Sequence, residues 1–275
     1  MWWRQNVLRW VIKTASSSFR KSPCGQYPNI LNLTIIIPTY NEAENLPKIS
    51  AALLALPLPD LNLLVVDDNS PDGTGHIAEA LKRDTGGRVQ VLHRSGKMGL
   101  GSAYIQGFGT ALSRGAEAVC QMDADFSHPV DKIPELVQAL TKVDIAIGSR
   151  YIKGGSLDER WPFWRKGLSA FGNFYARTIL GLGIRDTTGG FRLYRREALQ
   201  GMPFERVKSN GYVFQVETAY LATLLGYHFK EIPIYFAERR LGTSKMSLRI
   251  QLEAAYRVWL LPGIYADLRK KRPLV

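Results

Sequence analysis

Residues 119–129 of this chain read VCQMDADFSHP and give the strongest local indication of its fold. Apolar residues run up to Met122, and two carboxylates, Asp123 and Asp125, follow one residue apart. A short apolar run that ends in polar residues is typical of a buried strand entering a loop, and open α/β sheets bind ligands at that end of their strands. The pair therefore predicts a site for a hard divalent cation that holds a diphosphate. A lone Asp-x-Asp also occurs in ordinary solvated loops, so the rest of the chain has to support this interpretation.

Strands and helices alternate on both sides of this stretch. The predicted strands of the first half cover residues 33–38, 61–66, 89–93 and 118–122. Helical spacing separates them, at residues 42–56, 77–83 and 99–109. In the second half we expect strands at 144–148 and 232–236, an aromatic-rich helix at 161–182, and a helix at 247–260 that Pro262 ends or kinks. This order predicts an α/β fold, a Rossmann-like, mostly parallel sheet flanked by helices.

Composition indicates one packed domain with basic ends. The chain has 275 residues, of which 45% are hydrophobic and 22% charged, so a core is expected rather than disorder. Its two cysteines suggest neither a disulfide framework nor a zinc site, and Cys120 is interpreted as a core residue. We expect a basic amphipathic extension and linker at 1–32, the main domain at 33–250, and a basic amphipathic tail at 251–275.

The formal charge of +12 favours a polyanionic partner. Nucleic acid is not expected, because the chain has no zinc-finger spacing, RNP-like aromatic motif or heptad-backed basic region. Much of the charge lies near the two ends, which indicates an anionic membrane surface. No apolar run approaches the roughly 20 residues that span a bilayer. Residues 1–20 alternate tryptophans with cations, as in a helix that lies in a membrane interface, although a disordered or core-docked terminus is the alternative.

Seven motifs occur in one characteristic order. They are Pro38-Thr39-Tyr40-Asn41-Glu42, Asp67-Asp68-Asn69-Ser70-Pro71-Asp72-Gly73-Thr74, Gly99-Leu100-Gly101, the Asp123–Pro129 loop, Gly148-Ser149-Arg150-Tyr151, Thr188-Gly189-Gly190-Phe191-Arg192, and Arg239 through Lys245. Together they resemble the inverting family 2 glycosyltransferases of the GT-A fold, over about residues 33–250. Within that family the chain is most similar to the dolichyl- and polyprenyl-phosphate mannose synthases. It lacks the transmembrane helices that many relatives carry after the catalytic domain.

The resemblance implies an enzyme that transfers mannose from GDP-mannose to a polyprenyl phosphate with inversion, using Mg²⁺ or Mn²⁺. It implies a peripheral membrane protein at the cytoplasmic face, with any accessory membrane subunit left open. The nucleotide-sugar site that it implies consists of Pro38, Tyr40, Glu42, Asp67, Asp68, Asp123, Ala124 and Asp125. Asp123 and Asp125 would hold the metal. Some relatives have a metal-binding glutamine where this chain has Ser127, so the third ligand stays open.

The same resemblance assigns the basic residues. Arg150, Arg165 and Ser169 would lie near the acceptor phosphate, while Arg239 and Lys245 would lie on a mobile loop that closes over the phosphates. The residues expected to act in catalysis are Asp125, Arg150, Arg239 and Lys245. A phosphate acceptor is already ionised and needs positioning more than deprotonation, so no base is required. Asp186 is the fallback base or a residue that fixes its loop, and His128 is expected to be structural or solvent-facing.

Two other functions remain open from the sequence. A family 2 transferase could instead use UDP-glucose and make polyprenyl-phosphate glucose, because Asp67 and Asp68 do not by themselves distinguish guanine from uracil. Competition by GDP against UDP would separate these donors. A membrane-bound adaptor that keeps the fold without catalysis is the other alternative, and the intact motifs argue against it.

Overall fold

A seven-stranded sheet organises the chain in a computed structural model, which describes residues 32–238 and 248–270, with the side chains of 248–252 and 270 excluded. The sheet order is β3-β2-β1-β4-β7-β5-β8. Its strands are β1 (Leu33–Thr39), β2 (Leu61–Asp67), β3 (Val89–His93), β4 (Ala118–Gln121), β5 (Ile145–Ser149), β7 (Arg192–Arg195) and β8 (Phe229–Pro233). A two-stranded parallel sheet pairs β6 (Ser156–Leu157) with β9 (Tyr235–Phe236).

Helices connect the strands in the alternating order that the sequence predicts. They are α1 (Leu46–Leu54), α2 (Thr74–Asp84), α3 (Leu100–Ser113), α4 (Ile133–Ala139), α5 (Phe163–Leu180), α6 (Arg196–Gly201), α7 (Gly211–Leu224), α8 (Leu248–Ile264) and α9 (Ala266–Lys270). Short 3₁₀ turns occupy Val130–Lys132 and Phe204–Arg206. The predicted α/β class with a mostly parallel sheet is confirmed. No helix in the part of the chain that the structure describes is both long and apolar enough to cross a bilayer.

The strands carry apolar residues on both faces because helices cover both sides of the sheet. In β1, Ile36 belongs to one buried cluster with Tyr104 and Phe214. Its neighbours Ile35 and Ile37 belong to the cluster on the opposite face. This division follows from the period of two, by which successive side chains of a strand point to opposite faces.

Among the strands of the described residues, only β7 runs against its neighbours, and it pairs antiparallel with both β4 and β5. Strands β1, β2, β4 and β5 therefore all end at one side, which we call the carboxyl edge of the sheet. Register fixes this edge closely, because Thr39 pairs with Asp67 and Ile36 pairs with Gln121. The loops that carry the predicted motifs thus meet at the carboxyl edge.

The structure differs from the sequence expectations at several elements. The helix expected from residue 42 begins at Leu46, because residues 41–45 form the loop that leaves β1. The strand expected at 232–236 is split between β8 and β9, which belong to different sheets. The last long helix continues through Pro262 to Ile264, so the proline does not end it. Neither β7 nor α7 was expected.

The C-terminal helices dock on the sheet domain. Tyr265 is fully buried, and its hydroxyl donates to Glu217 Oε1 on α7 at 2.8 Å. On α5, the Tyr175 hydroxyl donates to the carbonyl of Ala255 in α8 at 3.1 Å. The domain boundary expected at residue 250 falls inside α8.

Candidate active site

At the carboxyl edge, side chains of the loop that follows β2 hold the loop that follows β1. Three successive backbone N–H groups after β1 donate to them: Asn41 to Ser70 Oγ at 3.1 Å, Glu42 to Thr74 Oγ1 at 2.9 Å, and Ala43 to Asp72 Oδ2 at 3.1 Å. Burial opposes ionisation of Asp72, but its hydrogen bonds from Thr74 and Ala43 outweigh that effect and lower its pKa. The two motifs therefore form one rigid unit beside Pro38 and Tyr40.

Backbone strain is concentrated at the same edge. Among the described residues, positive φ in a non-glycine residue occurs at Asn41 (62°), Asn69 (56°) and Phe126 (61°). Each follows the end of a strand, β1, β2 or β4 respectively. Asparagine tolerates this conformation, whereas a bulky phenylalanine there is uncommon. Strained residues of this kind cluster at functional sites.

Asp67 and Asp68 have different surroundings. Asp67 accepts hydrogen bonds from the Ser70 hydroxyl at 2.6 Å and the Thr39 hydroxyl at 3.2 Å. Asp68 pairs with the buried guanidinium of Arg94 at 2.7 Å. Burial raises the pKa of Asp68, and Arg94 opposes that effect. Arg94 stands in none of the seven motifs. It is the first residue after β3 and also donates to the Ser102 hydroxyl at 2.5 Å.

Tyr40 lies at the mouth of this region. Its ring is about one third exposed, and the ammonium of Lys97 stands 4.3 Å from the ring centroid. Lys97 also acts electrostatically on Asp68. A flat aromatic surface, a carboxylate and two cations are thus gathered where the resemblance expects a nucleotide. This chemistry suits the base, the ribose hydroxyls and the phosphates of a nucleotide.

The two carboxylates of the Asp-Ala-Asp motif follow β4, and different groups orient them. The buried Tyr104 hydroxyl of α3 donates to Asp123 Oδ1 at 3.3 Å. The Ser127 backbone N–H and hydroxyl both donate to Asp125 Oδ1, at 3.0 and 2.6 Å. Ala124 is buried between them. The sequence left open whether Ser127 is the third metal ligand. In the structure its hydroxyl donates a hydrogen bond to Asp125 and so orients that carboxylate.

His128 supports the loop of the Asp-Ala-Asp motif. Of the two expectations from the sequence, a structural or a solvent-facing residue, the structure agrees with the first. His128 is buried, and its Nδ1 accepts the backbone N–H of Asp123 at 3.1 Å. Its ring stacks on Phe191 with the centroids 5.0 Å apart. Burial lowers the pKa of His128, which agrees with a neutral ring that accepts through Nδ1.

The carboxylates fit a hard divalent cation. Mg²⁺ takes oxygen ligands and is commonly held by one or two carboxylates together with substrate phosphates and water. Asp123 and Asp125 supply two such carboxylates, oriented by hydrogen bonds from outside the pair. Within residues 32–238 and 248–270, no group of three His, Cys, Asp or Glu side chains could hold a metal ion. Asp123 and Asp125 are the residues that would hold such a cation.

Arg150 and Asp186 form a buried ion pair. Arg150 Nε and Nη2 each donate to Asp186 at 2.7 Å, and the Arg150 backbone N–H donates to it at 2.9 Å. Burial opposes ionisation of Asp186, but Arg150 outweighs it and lowers the pKa of the carboxyl. A carboxylate with these donors and no exposed surface is a poor proton acceptor. The arrangement therefore supports the interpretation of Asp186 as a residue that fixes its loop.

Arg165 and Ser169 lie on α5, next to Arg150. Ser169 Oγ accepts from the Tyr151 hydroxyl at 2.7 Å. The Arg165 guanidinium stacks 3.6 Å above the Trp161 ring centroid and bonds Glu238 at 3.0 Å. Phe236 connects the two arginines, since Arg150 lies 5.2 Å from its ring centroid and Trp161 packs edge-on against it. The structure thus brings the three predicted acceptor residues into one region, whereas Arg239 and Lys245 lie outside the described residues.

Comparison with known proteins agrees with this geometry. The model of the glycosyl transferase family 2 matches residues 34–202. A polyprenol monophosphomannose synthase of Mycolicibacterium smegmatis is 43% identical over 263 residues, covering 93% of this chain and 97% of that protein. An undecaprenyl-phosphate mannosyltransferase of Micrococcus luteus is 42% identical over 243 residues, covering 88% and 99%.

Solved structures share the fold at low identity. Glucosyl-3-phosphoglycerate synthase from Mycobacterium tuberculosis, in complex with Mn²⁺, UDP and glucosyl-3-phosphoglycerate, aligns with a TM-score of 0.57 at 16% identity, over 90% of this chain and 86% of that one. The mannosyltransferase PcManGT from Pyrobaculum calidifontis, in complex with GDP-Man and Mn²⁺, aligns with a TM-score of 0.53 at 18% identity, over 98% and 83%. A matched family model over most of the sheet, and relatives above 40% identity over nearly their whole length, show that this chain is a glycosyltransferase that belongs to glycosyl transferase family 2.

Proposed function

We propose that this glycosyltransferase moves mannose from GDP-mannose to a polyprenyl phosphate, with Mg²⁺ or Mn²⁺ at Asp123 and Asp125. The observation that carries the proposal is the Asp-Ala-Asp pair at the carboxyl edge, in a chain whose relatives at 42–43% identity are named for mannose transfer to polyprenyl or undecaprenyl phosphate. Asp123 and Asp125 would hold the cation, which would supply positive charge to the donor diphosphate when bound. Neither alternative from the sequence analysis gains support from a specific contact.

The remaining steps fall to residues of this chain. We assign Pro38, Tyr40, Glu42, Asp67 and Asp68 to the nucleotide, since their loops form one fixed unit. The acceptor phosphate needs positioning more than deprotonation, because it is already ionised near neutral pH. We assign that positioning to Arg150, Arg165 and Ser169. Arg239 and Lys245 remain assigned to the phosphates on sequence grounds alone.

The test of this function is a donor and acceptor panel. The purified protein is incubated with GDP-mannose, UDP-glucose, GDP-glucose and UDP-mannose, each with a polyprenyl phosphate, with and without Mn²⁺. We expect a mannosylated lipid from GDP-mannose that depends on the cation, with inhibition by GDP and much weaker inhibition by UDP. Efficient glucose transfer from UDP-glucose would support the alternative donor, and donor binding without any product would support an adaptor.

Tyr104 should tune metal binding. Tyr104→Phe removes the hydroxyl that donates to Asp123 Oδ1 but keeps the buried ring. Groups that orient a metal ligand typically contribute tenfold or more to affinity, so we expect Mn²⁺ to bind about tenfold more weakly in the presence of GDP. Electron paramagnetic resonance of free Mn²⁺ measures this without turnover.

Tyr194→Phe is the matched control for that variant. Tyr194 is also buried in the same cluster, but its hydroxyl donates to Gln121 Oε1 at 3.0 Å rather than to a carboxylate of the pair. We expect this variant to bind Mn²⁺ like the unmodified protein. If Tyr104→Phe also bound Mn²⁺ as tightly as the unmodified protein, Tyr104 would not orient the metal ligand.

The location that we propose is peripheral, on the cytoplasmic face of an anionic membrane. The acceptor lipid cannot easily leave a bilayer, so the protein must meet its phosphate at the surface. Helices α5 and α8 pack together and expose large apolar side chains, with Phe163 93% and Trp164 70% exposed. The others on these two helices are Phe171, Phe174, Tyr256, Trp259, Leu260 and Ile264. This aromatic surface shares α5 with Arg165 and Ser169, and the charge of +12 suits anionic lipid.

The aromatic surface predicts a measurable loss of membrane binding. Replacing Phe163 and Trp164 by serine should weaken binding to phosphatidylglycerol-containing vesicles about tenfold or more, because two large exposed rings no longer enter the interface. Vesicle co-sedimentation at several salt concentrations measures the effect. Met98→Ser, at an exposed apolar residue before α3, is the control and should bind as before. If the double variant bound vesicles as tightly as the unmodified protein, the aromatic surface would not be the membrane contact. The remaining candidate would be the helix that the sequence predicts at 1–20, which lies outside the described residues.

A further inference from the structure

The helix α7 enters the candidate site, although no sequence motif pointed to it. Its first residue follows Asn210, whose Oδ1 would lie 2.8 Å from a Cβ placed on Gly99. A Cβ on Gly101 would meet the Ser209 carbonyl at 2.8 Å. The approach to α7 therefore packs directly against the Gly99-Leu100-Gly101 motif. The Ser209 carbonyl leaves no room for a side chain at Gly101, whereas the positive φ of Gly99, 94°, is what favours glycine there.

Gln215, in the second turn of α7, faces the interior of this region. It is 2% exposed, and neither its Oε1 nor its Nε2 has a hydrogen-bond partner in the structure as described. A Cβ on Gly190 would stand 3.5 Å from Gln215 Nε2 and 3.8 Å from Cε1 of His128. The amide therefore lies beside the Thr188-Gly189-Gly190 motif and near the Asp-Ala-Asp loop.

A buried arginine, Arg192, binds the backbone carbonyl of Gln215 and so fixes this turn of α7. Arg192 is fully buried and donates from Nη1 to the Gln215 carbonyl at 2.8 Å. The same guanidinium donates to the carbonyls of Gly189 at 3.0 Å and Thr187 at 2.7 Å. Arg192 thus ties the glycine motif to the backbone of the turn of α7 that carries Gln215.

An amide that is buried with neither end satisfied lowers stability, so such a group in a folded protein needs an explanation. Strained or costly features of this kind persist where function requires them. A glutamine amide offers two donors and one acceptor with two lone pairs, which matches neighbouring hydroxyls on a pyranose, each both donor and acceptor. The diphosphate, in contrast, offers acceptors alone and would leave Oε1 unmatched.

We propose that Gln215 contacts the transferred sugar, with its amide hydrogen-bonded to hydroxyl groups of the hexose while the Asp-Ala-Asp pair serves the diphosphate. This assignment rests on the proposed function. Gly190 adds no side chain beside the amide, and even a Cβ there would only reach van der Waals contact with Gln215 Nε2, at 3.5 Å. A site that hydrogen-bonds hydroxyls rejects ligands that lack them, so Gln215 contributes to sugar recognition and not to binding of the nucleotide.

The test compares two ligands that differ by the sugar. Isothermal titration measures the affinity of GDP and of GDP-mannose, both with Mn²⁺, for the unmodified protein, Gln215→Met and Gln215→Asn. The methionine keeps the length of the side chain and removes its polar atoms, whereas the asparagine keeps the amide but withdraws it. We expect GDP affinity to stay within twofold in both, and GDP-mannose affinity to fall about tenfold in Gln215→Met. We also expect kcat/KM to fall by a larger factor, about a hundredfold, since contacts to the reacting sugar strengthen in the transition state.

Ser50→Ala is the matched control, because Ser50 on α1 is also fully buried with an unpartnered hydroxyl. Both Ser50→Ala and Gln215→Met should melt at or above the temperature of the unmodified protein, since each removes an unsatisfied buried group. Only Gln215→Met should lose recognition of the sugar.

Two results would overturn this assignment while the proposed donor stands. One is unchanged GDP-mannose affinity and turnover in Gln215→Met. The other is a parallel loss of GDP and GDP-mannose affinity in both Gln215 variants, which would mark a structural residue. Failure of the unmodified protein to bind GDP-mannose more tightly than GDP-glucose and UDP-glucose would overturn the proposed donor itself, and this assignment with it.

Discussion

Asp125→Ala should reduce mannosyl transfer by about a thousandfold in saturating donor, because the variant removes a carboxylate assigned to the metal. Cation stabilisation of developing charge contributes several kcal/mol to such reactions, and each ~1.4 kcal/mol corresponds to a factor of ten in rate. Steady-state turnover of GDP-mannose with a polyprenyl phosphate, at increasing Mn²⁺ concentration, measures the loss. Added Mn²⁺ should not restore the rate.

Two control variants separate the carboxylate from its surroundings. Ser127→Ala removes the hydroxyl that bonds Asp125 at 2.6 Å but keeps the backbone N–H bond, so we expect a loss of about tenfold. Asp131→Ala changes an exposed carboxylate in the next turn and should have little effect. If Asp125→Ala turned over at near the unmodified rate, the metal assignment would be wrong.

Asp186→Asn should lower the free energy of unfolding by about 3–5 kcal/mol, because it leaves the Arg150 guanidinium buried without its countercharge. Both members of this pair are buried, and Asp186 has no exposed surface. Urea unfolding followed by circular dichroism measures the loss. Activity should fall as well, since Arg150 is assigned to the acceptor phosphate and Asp186 holds its Nε and Nη2 in place.

Asp267→Asn is the matched control, because Asp267 forms a bidentate pair with Arg206 in a more exposed place. Exposed pairs contribute about 0–1 kcal/mol, so this change should be small. The pH dependence of Asp186 has a definite sign. Its folded pKa is lowered, so the stabilisation is present above the unfolded pKa of about 4 and is lost as the pH falls through the folded pKa. Equal costs for Asp186→Asn and Asp267→Asn would contradict a buried, stabilising pair.

The sequence predicts the first half of the fold well because each element carries its own local signal. Strands β1 and β2 are nearly continuous apolar runs, and each ends in a polar motif that marks the carboxyl edge. Parallel order then brings those motifs together. Arg150, Arg165 and Ser169 are assigned to the acceptor by resemblance alone, and they lie in one region around Tyr151 and Phe236.

The elements that the sequence missed lack a local signal. Strand β7 reads Arg-Leu-Tyr-Arg, and the charge of Arg192 hides the fact that this strand is buried. The guanidinium is satisfied by the carbonyl groups of Gly189 and Gln215, and the pattern of the strand itself does not show this. Helix α7 is buried on nearly every side, so its apolar residues show little amphipathic period. The available sign of this helix in the sequence was an apolar run of helical length that begins with Gly211 and contains Gln215.

The contacts that orient the site were also beyond sequence analysis. Arg94 meets Asp68 across 26 residues, and Tyr104 meets Asp123 across 19. Neither residue stands in a motif of its own. The pairing of β3 with β2 places Arg94, and the packing of α3 on the sheet places Tyr104. The expectations for residues 1–20 and for Arg239 and Lys245 stay predictions, since they lie outside the described residues.

Identification of the lipid product is the decisive test of the proposed mannosyl transfer. The full-length protein is incubated with GDP-mannose labelled in the sugar, Mn²⁺ and undecaprenyl phosphate in detergent or anionic vesicles, and the organic phase is analysed by mass spectrometry and mild acid hydrolysis. The account predicts a single labelled polyprenyl-phosphate mannose with the β configuration at the anomeric carbon, formed by the unmodified protein and almost absent with Asp125→Ala. A labelled lipid formed equally well by Asp125→Ala, or a lipid product formed from UDP-glucose and not from GDP-mannose, would contradict it.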